Sequence, residues 1–86
     1  MITLKPDVEW YFVRDPEGFG LAVFDEGFYT PATFKIAIRN TLKQIGLTTP
    51  EHWTYDQEAS DQEMMVIRFD EKHHAPIKML LMSRLT

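Results

Sequence analysis

The chain contains no cysteine. Disulfides, thiolate metal sites and thiol nucleophiles are therefore excluded. Small secreted domains usually depend on such staples, so their absence points to a cytoplasmic protein. Long apolar runs are missing too. Stretches such as Met79 to Met82 stop well short of the ~20 residues of a membrane-spanning helix. The opening residues, Met1 to Asp7, lack a basic segment followed by an apolar one, so no signal peptide is expected. Glycine is scarce. Gly18 and Gly20 flank Phe19, but the third glycine of a dinucleotide fingerprint is absent, and the pair opens a strand where that motif opens a helix. Neither a Walker motif nor a GxSxG elbow occurs, and Ser60 and Ser83 have no histidine beside them. No catalytic or cofactor-binding residues are assigned, and the chain is not expected to be an enzyme.

What is present is a globular composition. The 86 residues are 44% hydrophobic and 26% charged, too apolar for a disordered chain and short enough for one domain, residues 1–86. The net charge of -4 gives no general attraction to nucleic acid or an anionic membrane. Its distribution is uneven. Residues 1–34 carry six acids and two bases, and residues 35–46 three bases and no acid. Residues 47–71 carry seven acids and one base, and residues 72–86 three bases and no acid.

The hydrophobic pattern predicts two strands joined by a turn. Val8, Trp10 and Phe12 alternate with Glu9, Tyr11 and Val13. Asp15-Pro16-Glu17-Gly18 reads as a β-turn, and Phe19 to Phe24 resumes an extended run, so the pair forms a hairpin. A helix follows from Pro31 to Ile45. Thr30 is its N-cap, and Tyr29 with Phe34 forms a hydrophobic staple. Phe34, Ile38, Leu42 and Ile45 make one apolar stripe, widened by Ala37 and Thr41. Gly46 and Leu47 suit the C′ and C″ positions of a Schellman ending.

Thr48 to His52 reads as one helical turn capped by Thr49, and Trp53-Thr54-Tyr55 as a short strand. Asp56 to Glu63 is a polar loop, Met64 to Phe69 a strand, and Asp70 to Ala75 a turn. Residues 76–85 satisfy both strand alternation and helical spacing. Good helix formers and Pro76 at the first helical position favour a helix. Phe24-Asp25-Glu26 precedes Pro31 by the interval at which Phe69-Asp70-Glu71 precedes Pro76, as two hairpin-plus-helix units would. The expected fold is α+β, a small ββαββα-type domain with a four-stranded, mainly antiparallel sheet and two helices on one face.

Several residue groups invite a functional reading. Lys35, Arg39 and Lys43 form one row on the helix, suited to gripping phosphates or an acidic protein surface, or simply to solvation. Asp56, Glu58, Asp61 and Glu63 lack the ligand spacing of a calcium loop and read as a solvated loop. His73-His74 and the isolated His52 lack zinc spacing, so no metal site is assigned. The strongest signal is aromatic. Eight of eleven aromatics lie between Trp10 and Phe34. Strands apolar on both faces are buried on both or await a partner. Trp10, Tyr11 and Met64 are therefore the expected partner-binding residues, beside the Lys35, Arg39 and Lys43 row. The expected partner is another protein or a second copy of the chain, with no membrane partner. The alternative is a nucleic-acid-binding module using the basic row.

Overall fold

The computed structural model describes residues 2–6, 8–24, 31–61 and 64–83. Its elements are β1 (Glu9–Asp15), β2 (Gly18–Phe24), α1 (Pro31–Lys43), β3 (Trp53–Tyr55), β4 (Met64–Phe69) and α2 (His74–Ser83), the last preceded by a 3₁₀ turn over Glu71–His73. The order is ββαββα, and the four strands form one antiparallel sheet ordered β1-β2-β4-β3.

The β1–β2 turn forms for local reasons. Pro16 pre-sets its own φ, the Asp15 carboxylate accepts from the Glu17 N–H at 3.0 Å, and Gly18 takes a φ of 114° that a side chain would resist. The resulting register sorts the side chains. Trp10, Phe12 and Arg14 of β1 share a face with Phe19, Leu21 and Val23 of β2, and with Met65, Ile67 and Phe69 of β4. Trp53 and Tyr55 of β3 join that face. It carries the core, where Leu21, Val23, Met65, Ile67 and Trp53 pack with Phe34, Ala37, Ile38 and Leu42 of α1 and Ile77 and Leu81 of α2. Both helices therefore cover one face. The opposite face holds Glu9, Tyr11, Val13, Gly20, Ala22, Phe24, Met64, Val66 and Arg68.

The Schellman bonds at the end of α1 form as the sequence predicts, although the helix stops at Lys43, two residues short of the expected Ile45. The Gly46 N–H donates to the Lys43 carbonyl and the Leu47 N–H to the Leu42 carbonyl, with Gly46 at a φ of 79°. Ile45 departs from the expected stripe. It lies beyond the last helical residue and is exposed, because the chain has begun its turn there. Thr41, fully buried, donates to the Ala37 carbonyl and accepts from the Leu4 N–H at 2.9 Å, tying the N-terminal stretch to the helix. Thr30 and Tyr29, the expected cap and staple, lie outside the described residues.

Two other boundaries move. The turn before β3 is organised by Thr48 rather than Thr49. Its carbonyl accepts from the His52 N–H, and its hydroxyl donates to Glu51. α2 starts at His74, two residues before Pro76, because Asp70 already caps the preceding 3₁₀ turn through the Lys72 N–H. Proline is still tolerated there, within the first turn, where an N–H has no helical partner.

Candidate functional site

The helix-free face is built in rows across the sheet. Glu9, Phe24 and Met64 stand in one row, Tyr11, Ala22 and Val66 in the next, and Val13, Gly20 and Arg68 in the third. The central strand contributes only small groups to two of these rows. Gly20, Ala22 and Val66 are buried even though both helices lie on the other side. Large side chains on the flanking strands stand higher. Tyr11 is 47% exposed, with its ring 5.4 Å from that of Phe24 and its hydroxyl 3.9 Å from Sδ of Met64. One apolar cluster thus spans β1, β2 and β4. It is smaller than the two-faced strands suggest, because Ala22 and Val66 are already covered.

The expected trio of Trp10, Tyr11 and Met64 is divided. Tyr11 and Met64 meet on the helix-free face. Trp10 lies on the other, half-buried, with its ring edge-on to Phe12 at 5.6 Å. Phe12 in turn stacks against His74 at the start of α2, 4.0 Å between centroids.

Beside the aromatic cluster lies a charged cleft of about 400 Å³, lined by Asp15, Pro16, Glu17, Asp56, Glu58, Ala59 and Arg68. Arg68 organises it. Its guanidinium grips both carboxylate oxygens of Asp15, at 2.9 and 3.1 Å, and its Nε donates to Asp56 at 2.9 Å. Glu17 stands 3.6 Å away. Hydrogen bonds from Arg68 hold the Asp15 and Asp56 carboxyls below the ordinary carboxylate range, against the opposing effect of desolvation. Partial burial works against the Arg68 charge, but its bonds to the two aspartates outweigh this and raise its pKa. Four carboxylates and one guanidinium line the cleft and leave it acidic.

Arg68 carries no role in the sequence reading, although one signal was there. It is the single base among the seven acids of residues 47–71. Other members of the acidic stretch serve the chain itself. Asp61 bonds the Met64 N–H through its carboxylate, and Ser60 bridges the Asp56 carbonyl and the Val66 N–H.

The basic row is also divided. The Lys35 ammonium stands 5.3 Å above the Tyr55 ring, while the Tyr55 hydroxyl donates to the Lys35 carbonyl at 2.6 Å. Burial raises the Tyr55 pKa, and the nearby Arg39 charge opposes this. Arg39 and Lys43 are exposed along a cleft of about 280 Å³ shared with Asn40, Leu47, Thr48 and Thr49. No ion pair joins either of them to another described residue.

The histidines pack rather than converge. His73 meets His52 edge-on at 5.6 Å, and Nδ1 of His52 accepts from the Thr48 N–H at 3.0 Å. Among the described residues no three histidine or carboxylate groups are arranged to hold a metal, and no helix is long and apolar enough to cross a membrane. No protein-family model, curated protein or solved structure matches the chain.

Proposed function

We propose that the chain is a small non-enzymatic protein-binding module, acting as an inhibitor, adaptor or regulatory subunit. Its binding element is the helix-free face of the β1–β2 hairpin, flanked by the acidic cleft. The observation that carries this reading is the cluster of Tyr11, Phe24 and Met64, which presents a half-exposed tyrosine on a sheet face without helices. Tyrosine is favoured at interfaces because a rigid apolar ring and a hydrogen-bonding hydroxyl act together.

The nucleic-acid alternative draws support from Arg39 and Lys43, which are exposed and outside any described ion pair. Recognition of single strands, however, combines backbone cations with aromatic rings on which bases stack. The exposed tyrosine lies on the sheet face opposite α1, so the two features do not share a surface. The protein-binding reading is therefore preferred.

Affinity capture from a cell extract, run in parallel with the wild-type chain and Tyr11→Asp, tests the proposal. Proteins retained by the wild type should be lost with the variant, whose melting temperature should stay close to that of the wild type. Identical retention by both chains would refute the hairpin face as the binding element. Retention that collapses steeply with added salt and depends on Arg39 and Lys43 would favour nucleic acid instead.

A further inference from the structure

We infer that the outer edge of β1 pairs antiparallel with β1 of a second copy about a two-fold axis at Tyr11, joining two four-stranded sheets into one of eight. This pairing rests on the proposed role of the hairpin face and adds the identity of the partner.

β1 has seven residues, contains no proline and lies at one end of the sheet order. The two-residue loop makes Asp15 and Gly18 a hydrogen-bonded pair, so Val13, Tyr11 and Glu9 direct their backbone groups toward β2. Trp10, Phe12 and Arg14 direct theirs outward, and no described residue bonds to them. An edge of this kind is a template for another strand. Edges are ordinarily blunted by lysine, proline, a bulge or inward charge; β1 carries charge only toward its ends, at Glu9, Arg14 and Asp15, with Arg14 on the helix-covered face, and none over Trp10 to Val13.

Charge and aromatic pairing together select the register. Centred on Phe12, self-pairing sets Glu9 against Asp15 of the second copy, twice. Centred on Val13, it brings Asp15 onto Tyr11 and Arg14 onto Phe12. Centred on Tyr11, it pairs Trp10 with Phe12 of the second copy in both directions, sets Glu9 against Val13, and leaves Asp15 beyond the opposing strand. Aromatic cross-strand pairs are among the favourable ones, and like charges directly opposed are unfavourable. The same register brings the two Tyr11 side chains together on the helix-free face, so the two Tyr11–Phe24–Met64 clusters become continuous.

Because the chain has no native cysteine, single-cysteine variants report the register directly. Tyr11 would face its counterpart as a non-hydrogen-bonded pair, with Cα atoms ~4.5 Å apart, inside the ~4.4–6.8 Å range of a disulfide. Tyr11→Cys and Val13→Cys are oxidised mildly at micromolar concentration, beside sedimentation velocity of the wild type. The wild type should move from monomer toward dimer as concentration rises, and Tyr11→Cys should cross-link at least ten-fold faster than Val13→Cys. Faster cross-linking of Val13→Cys, or equal slow rates for both, would overturn the pairing. So would a wild type that stays monomeric, even one that still retains another protein through Tyr11 in affinity capture. That last combination would leave the hairpin face as a binding element and remove only the second copy as its partner.

Discussion

Arg68 reaches Asp15 by lying across the backbone of Gly20, and the two close a bidentate ion pair at 2.9 and 3.1 Å between strands that are not neighbours. A Cβ on Gly20 would stand 2.7 Å from the Ile67 carbonyl oxygen, 2.8 Å from Cγ2 of Val13 and 3.2 Å from Cδ of Arg68. The glycine is therefore the space through which β4 is clamped to the hairpin turn.

Gly20→Ala should destabilise the fold by ~1–3 kcal/mol, as overpacking of a filled site does. The nearest obstacle is backbone, so it cannot swing aside. Urea unfolding measures the effect. An unchanged midpoint would show that the strands separate more easily than this packing implies.

The Arg68 clamp also sets an acid response. Asp15 and Asp56 have lowered carboxyl pKa values in the folded chain, chiefly through their hydrogen bonds from Arg68. Their stabilisation is fully present above the unfolded value, ~3.9, and is lost as pH falls through the folded values. Asp56→Asn should therefore be less stable than the wild type at pH 7 and lose less on acidification. Urea midpoints at pH 7, 4 and 3 should converge for the two proteins. Parallel curves would contradict the assignment.

The α1 stripe makes a graded prediction. Ile38→Ala and Leu42→Ala remove fully buried side chains and should each cost ~2–5 kcal/mol. Lys43→Ala, on the exposed side, should stay within ~0.5 kcal/mol. Ile45→Ala should fall between Lys43→Ala and Leu42→Ala, since Ile45 is 37% exposed beyond the helix end. An Ile45 cost equal to that of Leu42 would return it to the core.

Thr41→Val tests the tie between the N-terminal stretch and α1. The replacement fills the same space but removes the hydroxyl that accepts from the buried Leu4 N–H. A cost of ~1–3 kcal/mol is expected for depriving a buried donor of that acceptor. A neutral substitution would mean that water replaces the hydroxyl.

The features legible in the sequence are those decided within a few residues. The α1 stripe, its ending at Gly46 and Leu47, and the strand Met64–Phe69 follow from spacing and turn chemistry alone. α2 starts before the expected Pro76 because Asp70 and Pro76 both signal a helix start, and the earlier signal prevails. Contacts between distant residues were not legible. Arg68 and Asp15 lie 53 positions apart, and only the isolation of one base among acids marked Arg68 out. Strand alternation put Trp10 and Tyr11 on opposite faces without saying which face the helices take. Gly18, Gly20 and Ala22, the small residues on one face of β2, mark the face that α1 and α2 do not cover.

Amide hydrogen exchange of β1 tests its pairing with a second copy most directly. The outward N–H groups of Trp10, Phe12 and Arg14 should exchange quickly in dilute solution and become protected as the concentration rises, while the amides of α1 change little. Exchange of these three amides at an unpaired rate at every concentration would contradict strand pairing at this edge.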